Sequence, residues 1–146
     1  SRAYGLAGMR VGWGCFPPDI ATQTRKLMNP NNISAASQAA ATAAMLDQDY
    51  MRDTCAQTIA LRDRFTRFCR ALDLEVPDSN TNFVLIRFPS SAAAKSADRH
   101  LRQHGILMRG MGGYGLQDCL RATIGPAQDM DTTVECLKHW RAKEAK

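Results

Sequence analysis

Two arginines stand inside apolar, strand-like segments in the last third of the chain. Arg109 ends the stretch ILMR, directly before a glycine-rich loop, and Arg121 lies inside CLRATIG. A guanidinium in a half-buried strand carries a large desolvation cost unless an anion pairs with it. That anion is either a carboxylate of the protein, which makes a salt bridge at a strand edge, or a bound carboxylate or phosphate gripped by the guanidinium fork. The two residues alone leave both alternatives open.

Two other patterns resemble known sites but lack a necessary part. The segment 110–115 reads G-x-G-x-x-G, yet the dinucleotide mechanism needs a helix to begin there, and the strand-like LQDCLRATIG follows instead. We therefore predict a substrate-facing loop. His100 and His104 are four residues apart, but the glutamate of the H-E-x-x-H zinc motif is missing. We expect exposed helix histidines and no metal site.

Length and composition indicate one globular domain, or one domain and part of another. The chain has 146 residues, a hydrophobic fraction of 45% and a net charge of +5. A positive balance favours an anionic partner, either nucleic acid or small phosphates and carboxylates. The charges are spread along helical stretches without a block of like charges, so we expect no nucleic-acid interface.

Hydropathy and cysteine usage bear on the compartment. We find no apolar run long enough to cross a bilayer and no signal-peptide pattern, so no membrane association is expected. The five cysteines are odd in number and include no C-x-x-C pair. Reduced thiols in a cytoplasmic protein are the expected state. The missing initial Met suggests a truncated or processed chain.

The elements that position the two arginines follow from hydrophobic periodicity. Residues 33–74 are helical almost throughout, and their length predicts a break near LDQDY. The order after it is strand, helix, strand, strand, helix, which predicts a small α/β layer. The predicted strands are 10–16, 83–88, 106–109 and 119–125, a glycine loop spans 110–118, and the helices outside 33–74 cover 19–28, 90–105 and 130–144.

Taken together, these segments resemble a known family. The motifs SRAYGLAGMRVGW, NPNNISAASQAAATAAM, NFVLIR and GILMRGMGGYGLQDCLRATIG are similar to the C-terminal part of histidinol-phosphate aminotransferases. That family belongs to the fold-type I, pyridoxal-phosphate-dependent aminotransferases, and threonine-phosphate decarboxylases and aromatic aminotransferases are its close neighbours. The resemblance runs over essentially the whole chain.

The resemblance implies cofactor roles for the opening residues. The family motif reads S-K-A-[FY]-G-L-A-G-x-R, in which the serine and the last arginine hold the phosphate of pyridoxal 5'-phosphate and the lysine bonds the cofactor covalently. Ser1 and Arg10 occupy the two phosphate positions, and Arg2 occupies the lysine position. A covalent bond to the cofactor needs a neutral primary amine, whereas a guanidinium stays protonated. Normal transaminase activity is therefore not expected with Arg2 in place.

The resemblance also implies substrate roles. Arg121 matches the arginine that takes the substrate α-carboxylate, and Arg109 matches an arginine near the distal group, a phosphate in histidinol phosphate. Asn82 and Tyr114 lie in matching segments near the substrate. Fixed charges at these positions would place the substrate amine against the cofactor, which is catalysis by positioning.

The implied fold is an α/β small domain of α+β type, preceded by a connecting helix and the last strand of a large cofactor-binding domain. We expect residues 1–32 to be the end of that large domain and residues 33–146 to be the connecting helix and small domain. The expected function is that of a fragment of an aminotransferase, a cytoplasmic homodimer when intact and inactive as this piece. Its substrates would be a phosphorylated or aromatic amino compound and a 2-oxo acid. The alternative is a non-catalytic domain that binds an anionic metabolite, which Arg2 favours.

Overall fold

The computed structural model describes residues 2–144, and the chain in it divides into two compact units between Cys55 and Ala56. The first contains a short 3-10 turn at Ala7–Met9 and the helices α1 (Pro18–Leu27) and α2 (Ala35–Leu46). Helix α3 (Gln48–Ala71) begins in the first unit and continues into the second. The predicted division after residue 32 stays a prediction.

The N-terminal segment of the first unit is fastened to its helices by side chains. Ser34 caps α2, since its Oγ accepts a hydrogen bond from the Ser37 N–H at 3.1 Å. The Ser37 Oγ donates in turn to the Met9 carbonyl at 2.7 Å. The rings of Tyr4 and Trp13 have centroids 5.7 Å apart. These contacts hold the residues that precede α1 against α2.

The strand predicted at 10–16 is wrong. Residues 11–17 form no strand ladder in the described part of the chain, and the large side chains Trp13 and Phe16 are more than half exposed. Alternation of side chains predicts which faces a strand would have, but a strand also needs a partner to accept and donate its backbone hydrogen bonds. No partner for this segment lies among the described residues.

The predicted break in the long helical stretch is confirmed at Asp47, between α2 and α3. Asp47 has non-helical dihedral angles, with φ −91 and ψ 71. Its carboxylate accepts a hydrogen bond from the Tyr50 N–H at 3.1 Å, which satisfies a donor in the first turn of α3.

The second unit is built on a three-stranded antiparallel sheet. Its remaining elements are β1 (Phe83–Arg87), α4 (Ser91–Gln103), β2 (Arg109–Met111), β3 (Leu116–Thr123) and α5 (Ala127–Glu144). The strand order is β1-β3-β2, so β3 lies in the centre and pairs with both neighbours. The predicted order of strands and helices is confirmed, and so is the predicted α/β fold class.

One face of the sheet forms the core with the helices. Side chains alternate along β1, where Val84 and Ile86 are fully buried and their register partners on β3, Ala122 and Leu120, are also buried. Helix α4 packs on β3 and against α5. The other face carries the half-buried positions of β1 and β3, including Arg121.

The boundaries of β2 and of the glycine loop differ from the prediction. Ile106–Met108 lie outside the sheet, β2 begins at Arg109, and Gly110 and Met111 belong to the strand. A register shift between Gly110 and Met111 interrupts the pairing with β3. Gly115 then adopts φ +78, a conformation that glycine tolerates, and lets the chain turn directly into β3.

The helices of the described residues are too short or too polar to traverse a lipid bilayer.

Candidate anion-binding site

The register of the sheet brings the two strand arginines together. Arg109 on β2 and Arg121 on β3 are direct partners across the antiparallel pair, and Leu85 on β1 is the partner of Arg121 on the other side. Partners in such a pair point to the same face of the sheet, with Cβ atoms about 4.5–5.5 Å apart. Like charges directly opposite each other are unfavourable. The sheet therefore holds a concentrated positive charge on one face.

Neither arginine of this pair has a carboxylate partner among residues 2–144. The Nε of Arg121 is buried and makes no hydrogen bond with the described residues. A buried, unsatisfied donor costs roughly 1–3 kcal/mol, more when it carries charge. Of the two alternatives that the sequence left open, the described residues offer no salt bridge for Arg109 or Arg121.

Arg87, on β1, shows what a structural arginine of this sheet looks like. Its Nη1 lies 3.3 Å from Glu75 Oε1 and its Nε lies 3.4 Å from Asp118 Oδ2, the second contact being too poorly aligned for a hydrogen bond. A hydrogen bond with the Cys119 thiol and the two carboxylates raise the pKa of Arg87. The charge of Arg87 is thus balanced by carboxylates of the described residues, whereas those residues supply none to Arg109 or Arg121.

Aromatic rings contact both arginines of the pair. The guanidinium carbon of Arg121 lies 4.8 Å from the centroid of the Phe83 ring. That of Arg109 lies 5.8 Å from the centroid of the Tyr114 ring, and its Nη2 is 3.4 Å from the Tyr114 hydroxyl. Both distances fall within the range of cation–π contacts.

Asn82 lies at the start of β1, directly before Phe83. Its carbonyl accepts a hydrogen bond from the Ile124 N–H at 2.9 Å, which closes this end of the sheet. The turn before it is held by Ser79, whose Oγ donates to the Phe83 carbonyl at 2.7 Å. The structure thus places Asn82 beside Phe83 and near the end of the Arg121 strand.

The predicted cofactor residues lie in the first compact unit. Arg10 is exposed, follows the 3-10 turn with φ 51, and donates from Nη1 to the Ala7 carbonyl at 3.1 Å. A positive φ is unusual for a residue other than glycine and costs on the order of 1 kcal/mol or more. Arg2 is exposed, and its carbonyl accepts a hydrogen bond from the Gly5 N–H at 3.1 Å. Ser1 lies outside the described residues.

Phe83 contacts Arg121 of the arginine pair, a contact that reasoning from the sequence missed. In the sequence it opens an apolar run and reads as a core residue, and its contact with Arg121 depends on the register between β1 and β3. Phe83 pairs with Thr123, so it stands diagonally to Arg121 on the same face. The motif NFVLIR contains Phe83, but its contact with Arg121 follows only from the pairing of β1 with β3.

The prediction that the helix histidines are exposed is wrong for His100. His100 is buried, not exposed, and its ring lies 4.5 Å from that of His104. Burial and the neighbouring His104, Lys143 and His139 lower the pKa of His100, partly offset by a backbone hydrogen bond at Cys136. No group of three or more metal-ligating side chains occurs within the part of the chain that the structure describes.

Comparison with known proteins identifies the family to which this chain belongs. The family model for aminotransferase class I and II matches residues 1–137, and the chain belongs to that family. A curated histidinol-phosphate aminotransferase from Rhodospirillum centenum is 40% identical over 141 residues, which are 96% of this chain and 39% of that protein. One from a Jannaschia species is 41% identical over 137 residues, 94% of this chain and 38% of that protein. The chain thus spans about two fifths of the length of these relatives.

A solved structure shows the same fold. The histidinol-phosphate aminotransferase of Sinorhizobium meliloti, determined in complex with pyridoxal-5'-phosphate, has a TM-score of 0.85 and 31% sequence identity. The match covers 97% of this chain and 39% of that one. The resemblance predicted from the sequence motifs is confirmed.

Proposed function

We propose that this chain is the substrate-binding C-terminal portion of a pyridoxal-phosphate-dependent aminotransferase of the histidinol-phosphate type. The reaction transfers an amino group between a phosphorylated or aromatic amino compound and a 2-oxo acid. One observation carries the proposal: Arg109 and Arg121 are direct partners across two neighbouring strands, and no carboxylate of residues 2–144 balances them. Relatives about 40% identical, named histidinol-phosphate aminotransferases, support the substrate class.

The two arginines would hold one anionic group of the substrate together, rather than two separate groups as the resemblance implies, because they are direct partners across β2 and β3. A phosphate or carboxylate between the two strands would relieve the repulsion between the guanidinium groups and supply an acceptor for the buried Arg121 Nε. Guanidinium forks bind such groups in a fixed orientation. Arg121 is the more buried of the two, so it would anchor the anion, and the exposed Arg109 would close over it.

Asn82 and Tyr114 are proposed to assist at the same site. Asn82 sits at the start of β1, beside the ring that contacts Arg121, and its amide would hydrogen-bond a polar substrate group. The Tyr114 hydroxyl lies next to Arg109, and the Tyr114 residue is largely exposed, so that a bound anion could contact it.

The cofactor fits this chain in part. Arg10 presents an exposed guanidinium from a fixed turn, which suits the cofactor phosphate, and Ser1 is proposed as its hydroxyl partner. Pyridoxal phosphate supplies an electron sink for the amino-transfer chemistry when it is bound. Arg2 does not fit the covalent role, because its guanidinium is not a neutral amine. The residues of this chain therefore account for holding the phosphate and not for the covalent bond.

Assembly and compartment belong to the same proposal. We expect the intact enzyme to be a cytoplasmic homodimer that acts on small molecules, without nucleic acid or membrane. The piece alone, which spans about two fifths of its relatives, is expected to be inactive.

A chimera tests the proposal. Residues 1–137 of this chain would replace the matched segment of the Rhodospirillum centenum relative, with either Arg2 or Lys at position 2. We expect the R2K chimera to transfer the amino group of histidinol phosphate to 2-oxoglutarate and the Arg2 chimera to be inactive. Adding R121Q to the R2K chimera should raise KM for histidinol phosphate.

An R2K chimera that folds, binds pyridoxal phosphate and still shows no amino transfer would contradict an aminotransferase role. If the unmodified chain nevertheless binds phosphate through Arg121, the non-catalytic metabolite-binding domain that Arg2 favours becomes the better description.

A further inference from the structure

We propose that Phe83 and Tyr114 are positioning residues that orient Arg121 and Arg109 through their ring faces and thereby set the affinity of the site for an anion. This inference rests on the proposed anion-binding function of the arginine pair. Phe83 would thereby act on the site through Arg121, and Tyr114 would act on it through Arg109 in addition to its proposed contact with the substrate.

The Phe83 ring lies on the same sheet face as Arg121 and close to its guanidinium. Phe83 pairs with Thr123 and Leu85 pairs with Arg121, so Phe83 is the diagonal neighbour of Arg121 on one sheet face. At 4.8 Å from the guanidinium carbon, its ring lies closer than in either of the other cation–π contacts of the described residues, at 5.5 Å and 5.8 Å. Phe83 is half-buried, and the hydrogen bonds of Ser79 and Thr81 to its carbonyl hold its backbone in place.

A carboxylate and an aromatic ring leave different parts of a guanidinium available to a ligand. A carboxylate fixes a guanidinium by occupying N–H donors and cancelling its charge, as Glu75 does at the Nη1 of Arg87. An aromatic face contacts the flat side of the guanidinium and leaves the N–H donors at its edge free. Arg121 is therefore held in one orientation while its charge stays available to a ligand.

Both arginines of the pair have an aromatic ring near the guanidinium, and Arg109 also donates one N–H to the hydroxyl of its ring partner, Tyr114. The ring of Tyr114 contacts Arg109, and the ring of Phe83 contacts Arg121. Neither arginine has an ion-pair partner within residues 2–144. Tyr114 is fixed by the 3-10 turn at Gly112–Tyr114, which ends at the left-handed Gly115. Two rings from opposite ends of the sheet thus prepare two forks for one anion, and less side-chain entropy remains to be lost on binding.

Phosphate affinity of Phe83 variants tests the role. The 146-residue chain is titrated with inorganic phosphate by calorimetry in a phosphate-free, low-salt buffer. F83L keeps an apolar side chain but removes the ring, and we expect its Kd to rise about threefold to tenfold. F83Y restores the ring face and should bind within about twofold of the original chain. The matched control is F88L, because Phe88 packs edge-on against Trp140 at 5.3 Å in the core and should affect unfolding without affecting Kd.

A second readout separates positioning from folding. The heteronuclear NOE of the Arg121 Nε–H reports its order, and we expect it to fall in F83L and to recover in F83Y. If the original chain binds phosphate, R121M abolishes binding and F83L leaves both Kd and the NOE unchanged, the positioning role is overturned and the anion site stands. Equal losses of affinity in F83L and F88L would also overturn it. A chain that binds no phosphate at all refutes the anion site, and the positioning role with it.

Discussion

Replacing Arg121 with methionine should make the ligand-free protein more stable, although the residue lies inside the central strand. The substitution removes the buried Nε, which makes no hydrogen bond with residues 2–144 and costs roughly 1–3 kcal/mol, and the repulsion from Arg109 across the strands, roughly 0.2–1 kcal/mol. It also loses the contact with the Phe83 ring, about 0.5–1 kcal/mol. The three contributions sum to a gain of about 2 kcal/mol in the free energy of unfolding, or an increase in Tm of about 6 °C.

Phosphate should reverse this order. A ligand that binds only the folded state stabilises it by about 2.7 kcal/mol at a concentration of 100 times Kd. The original chain should gain that amount and R121M should gain almost nothing, so that R121M is the more stable protein without phosphate and the less stable one with it. Thermal unfolding followed by circular dichroism, with and without phosphate, measures both values.

The control is R87M, in which the contacts with Glu75 and Asp118 are lost. R87M loses these exposed contacts and also removes a buried Nε that makes no hydrogen bond with the described residues, so its Tm should change little in either buffer. Phosphate should stabilise it as it does the original chain. The reasoning is refuted if R121M is less stable than the original chain in phosphate-free buffer, because Arg121 would then be a structural residue. Equal stabilisation of the original chain and R121M by phosphate would refute it as well.

Three further predictions concern other parts of the molecule. S34A removes the cap of α2, which accepts from the Ser37 N–H, and should lower the free energy of unfolding by about 1 kcal/mol in urea titrations; an unchanged value would show that the cap is not needed. Burial lowers the pKa of His100, so the unfolded chain binds its proton at higher pH than the folded one, and stability should fall as the pH drops from about 7 to 5. H100Q should reduce this pH dependence, and an identical slope in urea midpoints would contradict the assignment. Burial raises the pKa of the Cys69 thiol to about 12, so iodoacetamide at neutral pH should modify the exposed Cys15 and leave Cys69 untouched until unfolding, as mass spectrometry of peptides would show.

The elements of the second unit could largely be predicted from the sequence, because its helices and strands bury one face each. The alternation of Val84 and Ile86 identifies β1, and the serine cap at Ser90 marks the start of α4. The prediction of a strand at 10–16 failed because an alternating pattern is not sufficient. A strand also needs a second segment to pair with, and none of the described residues pairs with this one.

The sequence indicates which residues form the candidate site, but not how they are arranged in space. Arg109 and Arg121 stood out because a charged side chain in an apolar strand needs an explanation. Their pairing depends on a register that begins at Arg109 and is interrupted after Gly110, and the segment 106–109 gave no indication of either. The role of Phe83 was hidden for the same reason, since its distance from Arg121 along the chain is large and only the antiparallel pairing closes it.

The central claim is that one anion binds between the two arginines, and an NMR titration tests it directly. The side-chain Nε–H signals of Arg109, Arg121 and Arg87 would be followed while inorganic phosphate is added to the chain. The signals of Arg109 and Arg121 should move together with a single Kd, whereas that of Arg87, already balanced by Glu75 and Asp118, should stay in place. Small and equal shifts of all three signals, or no shift at all, would contradict the claim.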